Sequence, residues 1–166
     1  KDPTNRFYNK ALGGGALLDL GVYPVSFAIY MLGVPDKIRV LCNLANTGVD
    51  ETMAIQFKYK DGKMAQLFFS FVTNSAKEAH IFGDDGEIRI HHSWFTPTQL
   101  SFISKDGKIK KSDFNFIGNG YNYEIEECHR CLREGKTESD LMPLDLSLDI
   151  MRMLDRIAKE AEISLL

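Results

Sequence analysis

The feature that most constrains the fold is a long apolar stretch, GGGALLDLGVYPVSFAIYMLG, which spans Gly13–Gly33. Its polar side chains recur at offsets i, i+4, i+7 and i+11 and are Asp19, Tyr23, Ser26 and Tyr30. That spacing places them on one face of an α-helix. A helix that is apolar on nearly all its other faces is normally buried. The stretch therefore predicts a buried helix with one polar stripe, which is perturbed at Pro24 if this residue is interior and which ends at Gly33.

A membrane span fits this stretch poorly. Its apolar run, residues 16–32, lies at the short limit of the roughly 17–25 residues that a spanning helix needs, and it contains Asp19 and Pro24. The N-terminal segment KDPTNRFYNK is polar, unlike a secretory signal peptide. We therefore expect a helix in the core of a soluble domain. Because the chain begins at Lys1 in a polar loop, we also expect it to be a piece of a longer protein.

Size and charge limit the possible functions. A chain of 166 residues predicts one domain with a real hydrophobic core. The net charge is −3 and charges of both signs are interspersed, so no basic surface for nucleic acid or an anionic membrane is expected. The three cysteines, Cys42, Cys128 and Cys131, are an odd number in a large chain. They indicate reduced thiols in a cytoplasmic protein rather than a disulfide framework.

The middle of the chain, roughly residues 37–112, predicts strands joined as hairpins. Turns that suit positive φ occur at Asp61-Gly62, at Asp84-Asp85-Gly86 and at Lys105-Asp106-Gly107. The β-rich segments between them are Lys37–Asn46, Glu51–Tyr59, Met64–Val72, Ala79–Phe82, Glu87–His91, Gln99–Ser104 and Lys108–Asp113. Consecutive hairpins predict a largely antiparallel sheet.

Two helices follow the strands. Tyr121–Arg133 is predicted as a helix that ends before Gly135 and places Ile125, Cys128, His129 and Leu132 on one apolar face. Pro143 suits the first turn of a second helix. Its helically spaced residues are Ser147, Ile150, Met151, Leu154, Ile157, Ala158 and Ala161. A helix, several antiparallel strands and two further helices predict an α+β fold.

The polar stripe suggests chemistry. A carboxylate on an apolar helix is costly unless it is paired or faces a polar cleft. Asp19 and Tyr23 lie one turn apart, and a phenol can exchange a proton with a substrate hydroxyl or carbonyl. Because a free phenol has a pKa of about 10, Tyr23 needs a nearby cation, and Asp19 suits an orienting role. The structural alternative is that Asp19 caps the helix and Tyr23 packs in the core.

Histidine and cysteine do not form a convincing metal site. His91 and His92 are adjacent, so in a strand they face opposite sides of the sheet. Cys128-His129-Arg130-Cys131 contains one C-x-x-C, whereas a structural zinc site needs a second pair of ligands. We expect no metal, and we expect Cys128 and His129 to be core or surface residues.

The segment GGGALLDLGVYP resembles the C-terminal domain of the glucose–fructose oxidoreductase, inositol dehydrogenase and dihydrodiol dehydrogenase family. Later segments resemble it in the same order: TGVDE, FGDDGEIRI, WFTPT and GYNYEIEECHRCLREGKTESDLMPLDLSLDIMRMLDRI. The resemblance implies an α+β substrate-binding and oligomerisation domain over residues 1–166, with an open, largely antiparallel β-sheet flanked by helices. It also implies an oxidoreductase that acts on a sugar, polyol or cyclic diol.

The resemblance also implies what this chain should lack. Family members bind NAD or NADP in an N-terminal Rossmann domain, and no strand–G-x-G-x-x-G–helix or Glu-Lys-Pro motif occurs here. We therefore expect no cofactor-binding residue in this chain and no dehydrogenase activity from it alone. The alternative function is a non-catalytic scaffold or dimerisation module, which an exposed sheet face favours. A homo-oligomer through the sheet is expected in either case.

Candidate site residues follow from the matched positions. The resemblance implies that Tyr23 is the catalytic acid/base and that Asp19 assists it. It also implies that the cation near Tyr23 is the lysine of the family's Glu-Lys-Pro motif, which this chain lacks. Arg6, in the loop before the helix, is a candidate for binding a substrate hydroxyl or carboxylate, or else a solvated arginine. Trp94 and Phe95 are candidates for the edge of the pocket, or else for packing or an interface. Tyr121 is a further candidate for substrate binding.

Overall fold

The computed structural model describes residues 2–165, which divide into two compact units. The first unit contains the chain up to Asn74 and again from Asp140 onward, and the second contains Ser75–Ser139. Both units consist of antiparallel strands and helices, which confirms the predicted α+β class. The prediction of a single domain over residues 1–166 stays a prediction.

The apolar stretch forms a helix that starts later than predicted. A π-helical turn, Leu17–Gly21, leads directly into α1, Val22–Leu32, and Gly33 ends the helix with φ of 81°. The start predicted at Gly13 is wrong, because the N–H groups of Gly13, Gly14 and Gly15 donate to carbonyls of the preceding 3₁₀ turns. Pro24 therefore lies inside one continuous helical stretch, where it has no N–H to donate, and the π turn ends three residues before it.

The helix is buried on one side, and its exposed side extends beyond the predicted polar stripe. Val25, Ala28 and Ile29 lie in the core, whereas Tyr30 is 59% exposed and Met31 46%. By length and composition alone, the helical stretch that includes α1 is long and apolar enough to cross a membrane. In the structure, its buried side packs in the core of the first unit.

A three-stranded sheet of order β1-β2-β3 and helix α3 complete the first unit. The strands are β1 (Lys37–Leu44), β2 (Asp50–Lys58) and β3 (Met64–Ser70), and α3 spans Leu144–Glu160 with Pro143 as its N-cap. Alternation along β2 buries Met53, Ile55 and Phe57 against the helices, as its period of two predicts. From α3 the core receives Ile150, Met153, Leu154, Ile157 and Ala158.

The chain leaves the first sheet at Ser70, although the sequence predicts a strand as far as Val72. The hydroxyl of Ser70 accepts N–H bonds from Val72 and Thr73, both at 3.1 Å. These bonds turn the backbone out of the strand. The seven predicted strands consequently form two sheets rather than one.

The second unit contains a four-stranded sheet of order β4-β5-β6-β7 and helix α2. The strands are β4 (Ala79–Gly83), β5 (Gly86–Ile90), β6 (Gln99–Ser104) and β7 (Ile109–Asp113). Helix α2 spans Tyr121–Arg133, as predicted, and Gly135 follows it with φ of 68°.

The face of α2 that was predicted to carry Ile125, Cys128, His129 and Leu132 is exposed in this unit. Ile125 is 55% exposed and Leu132 is 74% exposed, and Cys128 and His129 are exposed as well. The buried residue of this helix is Cys131. Glu127, which lies one turn before Cys131, makes polar contacts on the same side of the helix. It accepts hydrogen bonds from Arg130 at 2.8 Å and from the hydroxyl of Ser139. The Arg130 guanidinium and this hydroxyl lower the pKa of Glu127 to about 2.

Candidate active site

Asp19 and Arg6 form the central contact of the candidate site. The π turn carries Asp19, and the 3₁₀ turn Arg6–Tyr8 carries Arg6. Arg6 Nη2 donates to Asp19 Oδ1 at 2.7 Å, with side-chain exposures of 62% and 24%. The Arg6 guanidinium also lies 4.2 Å from the centre of the Phe7 ring, as in a cation–π contact. The carboxylate of Asp19 is thus paired within the same unit, as the cost of leaving it unpaired requires.

The polar stripe lies on the side of the helix that faces away from the core. Tyr23, in the first turn of α1, is 49% exposed, and Tyr30 is 59% exposed. Ser26 is intermediate in exposure, between buried Val25 and exposed Tyr30. The structure therefore leaves the phenol of Tyr23 accessible beside the turn that carries Asp19. A core-packing role for Tyr23 does not fit this exposure.

The glycine triplet allows the backbone of residues 13–15 to pack closely against neighbouring segments of the chain. A Cβ on Gly14 would lie 2.6 Å from the carbonyl oxygen of Arg6. Gly15 has φ of 130°, and a Cβ there would lie 2.2 Å from Asp50 Oδ1. Their N–H groups already donate to Asn9 O and Phe7 O, both at 3.0 Å. This triplet does not suit a pyrophosphate, because its amides are used and a carboxylate faces it.

Asp50, which the sequence analysis did not single out, lies behind the site. This first residue of β2 is 4% exposed, and its Oδ2 accepts the N–H of Leu17 at 2.6 Å. Burial raises the pKa of Asp50 above its ordinary value, although backbone N–H groups of Leu17 and Ala16 act in the opposite direction. A signal was present in the sequence, since a lone acid at the start of an apolar strand needs a partner.

The other predicted site residues lie in the second unit. Trp94 and Phe95 follow β5, and their rings meet edge to face with centroids 5.9 Å apart. Phe95 is 47% exposed, and Tyr121, the first residue of α2, is 64% exposed. Their assignment to a substrate pocket stays a prediction. Within the first unit, the structure brings Arg6 and Asp19 into contact. Within the second unit, it brings Trp94 and Phe95 into contact.

Comparison with known proteins identifies the domain. A family model described as the GFO/IDH/MocA C-terminal domain matches residues 1–89. The trans-1,2-dihydrobenzene-1,2-diol dehydrogenases of Xenopus tropicalis and Mus musculus are each 32% identical to the chain, over 93% and 95% of it. These matches cover 49% and 48% of the two relatives, so the chain spans about half their length.

Solved structures show the same fold. An aldose–aldose oxidoreductase from Caulobacter crescentus, crystallised with glycerol, overlays on 98% of this chain and on 50% of its own, with a TM-score of 0.80 at 19% identity. The resemblance inferred from the glycine triplet and the closing helices is therefore confirmed. The chain belongs to the GFO/IDH/MocA family, whose C-terminal domain its residues 1–89 match.

Proposed function

We propose that this chain is the substrate-binding and oligomerisation domain of an NAD(P)-dependent oxidoreductase. The full-length enzyme would act on a C–OH or C=O group of a sugar, polyol or cyclic diol. The observation that carries the proposal is the half-exposed Tyr23, which lies four residues after the paired carboxylate of Asp19 on the same helical stretch. Support for the reaction class comes from relatives of about 30% identity that are named diol dehydrogenases.

Each site residue has a proposed role. Tyr23 exchanges the proton of the substrate hydroxyl, and Asp19 orients the substrate. Arg6 holds the Asp19 carboxylate in place, and the other N–H donors of its exposed side chain bind a substrate oxygen. Trp94, Phe95 and Tyr121 supply aromatic surface for the substrate. From the family resemblance, we assign the cation that activates Tyr23 to a lysine of the N-terminal domain.

The cofactor belongs to that other domain. The glycine triplet does not fit a pyrophosphate, so we assign NAD or NADP to the half of the enzyme that this chain does not include. Bound there, the nicotinamide would accept or supply the hydride. The residues of this chain handle the substrate and its proton.

The test is nicotinamide-linked turnover by the full-length protein. We expect the reduction of NAD or NADP, followed at 340 nm, with at least one member of a panel of trans-diols, aldoses and cyclic polyols. The polypeptide of residues 1–166, assayed in parallel, is expected to give none. Turnover by this shorter chain alone, or a full-length protein that is inactive on the whole panel with both cofactors, would contradict the proposal.

A second proposed role, oligomerisation, is favoured by the outer face of the first sheet. Leu41 pairs with Ala54, and Ala54 pairs with Phe68, so these three residues form one row across the sheet. Leu41 is 76% exposed and Phe68 49%. An exposed apolar row with polar residues on either side is typical of a protein interface. We propose that two copies of the chain pair through this row.

The charged variant Leu41→Glu tests the interface. We expect it to shift the full-length protein from an oligomer to a monomer in size-exclusion chromatography with light scattering, because a buried carboxylate at the row is costly. Leu148→Glu is the matched control, since Leu148 is 50% exposed on α3 and lies off the sheet. An oligomer that survives Leu41→Glu would rule out this face as the interface.

The cell compartment is also a proposal. Cys42, Cys128 and Cys131 are free thiols, and such thiols are typical of a reducing compartment. We therefore place the enzyme in the cytoplasm.

A further inference from the structure

We propose that Asp50 is a positioning residue, which sets the place of Asp19 in the active site by holding the start of the helix. This inference rests on the proposed function, because Asp50 itself is remote from solvent and would not contact the substrate. The carboxylate is an internal acid that the proposed reaction does not use, so its presence in the core needs an explanation.

Asp50 supplies the helix start with an acceptor that the local sequence lacks. Ala16 precedes the π turn and has no side-chain oxygen that could cap it. The first N–H groups of a helix have no partner within the helix. The N–H of Leu17 donates instead to the Asp50 carboxylate, which comes from a strand far along the chain. A negative charge at this end is also favoured by the helix dipole.

The residues that Asp50 contacts are close in the chain to the proposed site residues. Leu17, whose N–H binds Asp50, is two residues before Asp19 in the same π turn. On the other side of the turn, the N–H of Gly15 donates to Phe7 O, and Phe7 follows Arg6. The two partners of the ion pair are thus attached to one short segment, residues 15–17, and Asp50 contacts both ends of it.

The packing around the carboxylate leaves little room for another arrangement. Gly15 adopts φ of 130°, and a Cβ at this position would overlap Asp50 Oδ1. The carboxylate therefore lies directly against the backbone of the glycine triplet. A change in its acceptor geometry has to be taken up by the π turn, and hence by Asp19.

The experiment uses Asp50→Asn in the full-length protein. The amide keeps the size of the side chain but removes its negative charge and one of its two acceptor oxygens. We expect kcat, measured per folded molecule and well below the melting temperature, to fall tenfold or more, since small displacements at a reacting centre are costly. KM for the nicotinamide cofactor should change less than twofold. Amide hydrogen exchange should accelerate over residues 16–21.

Asp36→Asn is the matched control. Asp36 also accepts a backbone N–H, that of Lys60 at 2.7 Å, in the same unit but at the start of the first sheet. It should leave kcat and the exchange of residues 16–21 unchanged. If Asp50→Asn is recovered in poor yield, Asp50→Ser, whose shorter side chain withdraws the acceptor from the Leu17 N–H, should show the same loss of kcat.

The outcomes separate the two proposals. Wild-type kcat in Asp50→Asn or Asp50→Ser, with at most a lower melting temperature, would reduce Asp50 to a stabilising residue and overturn the inference. The proposed function would then stand, provided that replacing Tyr23 by phenylalanine lowers kcat by about a hundredfold or more. A wild-type protein without nicotinamide-linked turnover would overturn the proposed function instead, and faster exchange at residues 16–21 in Asp50→Asn would still report the contact.

Discussion

Replacing Tyr23 by phenylalanine in the full-length protein is expected to lower kcat on a diol or sugar substrate by about a hundredfold or more. The change removes one hydroxyl from a side chain that is 49% exposed, so the fold and its stability should be retained. The loss follows because the substrate hydroxyl would have no group with which to exchange its proton. Steady-state nicotinamide reduction, with the melting temperature measured in parallel, checks this result.

Tyr30→Phe is the control for that substitution. Tyr30 lies on the same polar stripe, in the same helix, and is 59% exposed. It undergoes the same chemical change at a position distant from Asp19, and we expect unchanged kcat. Unchanged kcat in Tyr23→Phe as well would favour the alternative function, a scaffold or dimerisation module without catalytic residues.

Replacing Gly15 by alanine is expected to lower the free energy of unfolding by about 3 kcal/mol, as the sum of backbone strain and overpacking. Its φ of 130° is rarely adopted by residues with a side chain, and the new Cβ would lie 2.2 Å from Asp50 Oδ1. Relief requires movement of the carboxylate or of the helix start, and both are packed. Urea unfolding of the full-length protein, followed by circular dichroism, measures the change.

Gly13→Ala separates the two contributions. Gly13 also has positive φ, 69°, but nothing lies within 4 Å of a Cβ built there. We expect a loss of about 1 kcal/mol from the left-handed backbone alone. If Gly15→Ala costs no more than Gly13→Ala, the tight contact between Gly15 and Asp50 does not contribute to stability.

The strands and their pairing could be predicted because their signals are local. Period-two alternation and the Asp-Gly turns at Gly62, Gly86 and Gly107, all with positive φ, specify the hairpins β2–β3, β4–β5 and β6–β7 within about ten residues of chain. The bounds of α2 were predicted for the same reason, since Gly135 terminates it. The stripe of polar residues on α1 also follows from spacing alone.

The features that could not be predicted depend on partners distant in the sequence. The anchoring of the helix start could not be predicted locally, because the acceptor of the Leu17 N–H is Asp50. The pairing of Arg6 with Asp19 likewise depends on how the glycine triplet folds back on the preceding turns. The exposure of one face of α2 could not be predicted, because periodicity shows that a face is apolar but not whether anything covers it.

The division of the first unit along the chain has a consequence for its synthesis. Its core combines α1 and β1–β3 with α3, yet the whole second unit is translated before α3. The part of the first sheet's apolar inner face that α3 covers therefore stays exposed on the ribosome while residues 75–139 are made. The second unit is built from neighbouring hairpins of short sequence separation, so it can fold first, whereas closure of the first core waits for α3. Chaperone demand during biosynthesis should accordingly concentrate on the inner face of β1–β3 until residues 144–160 emerge.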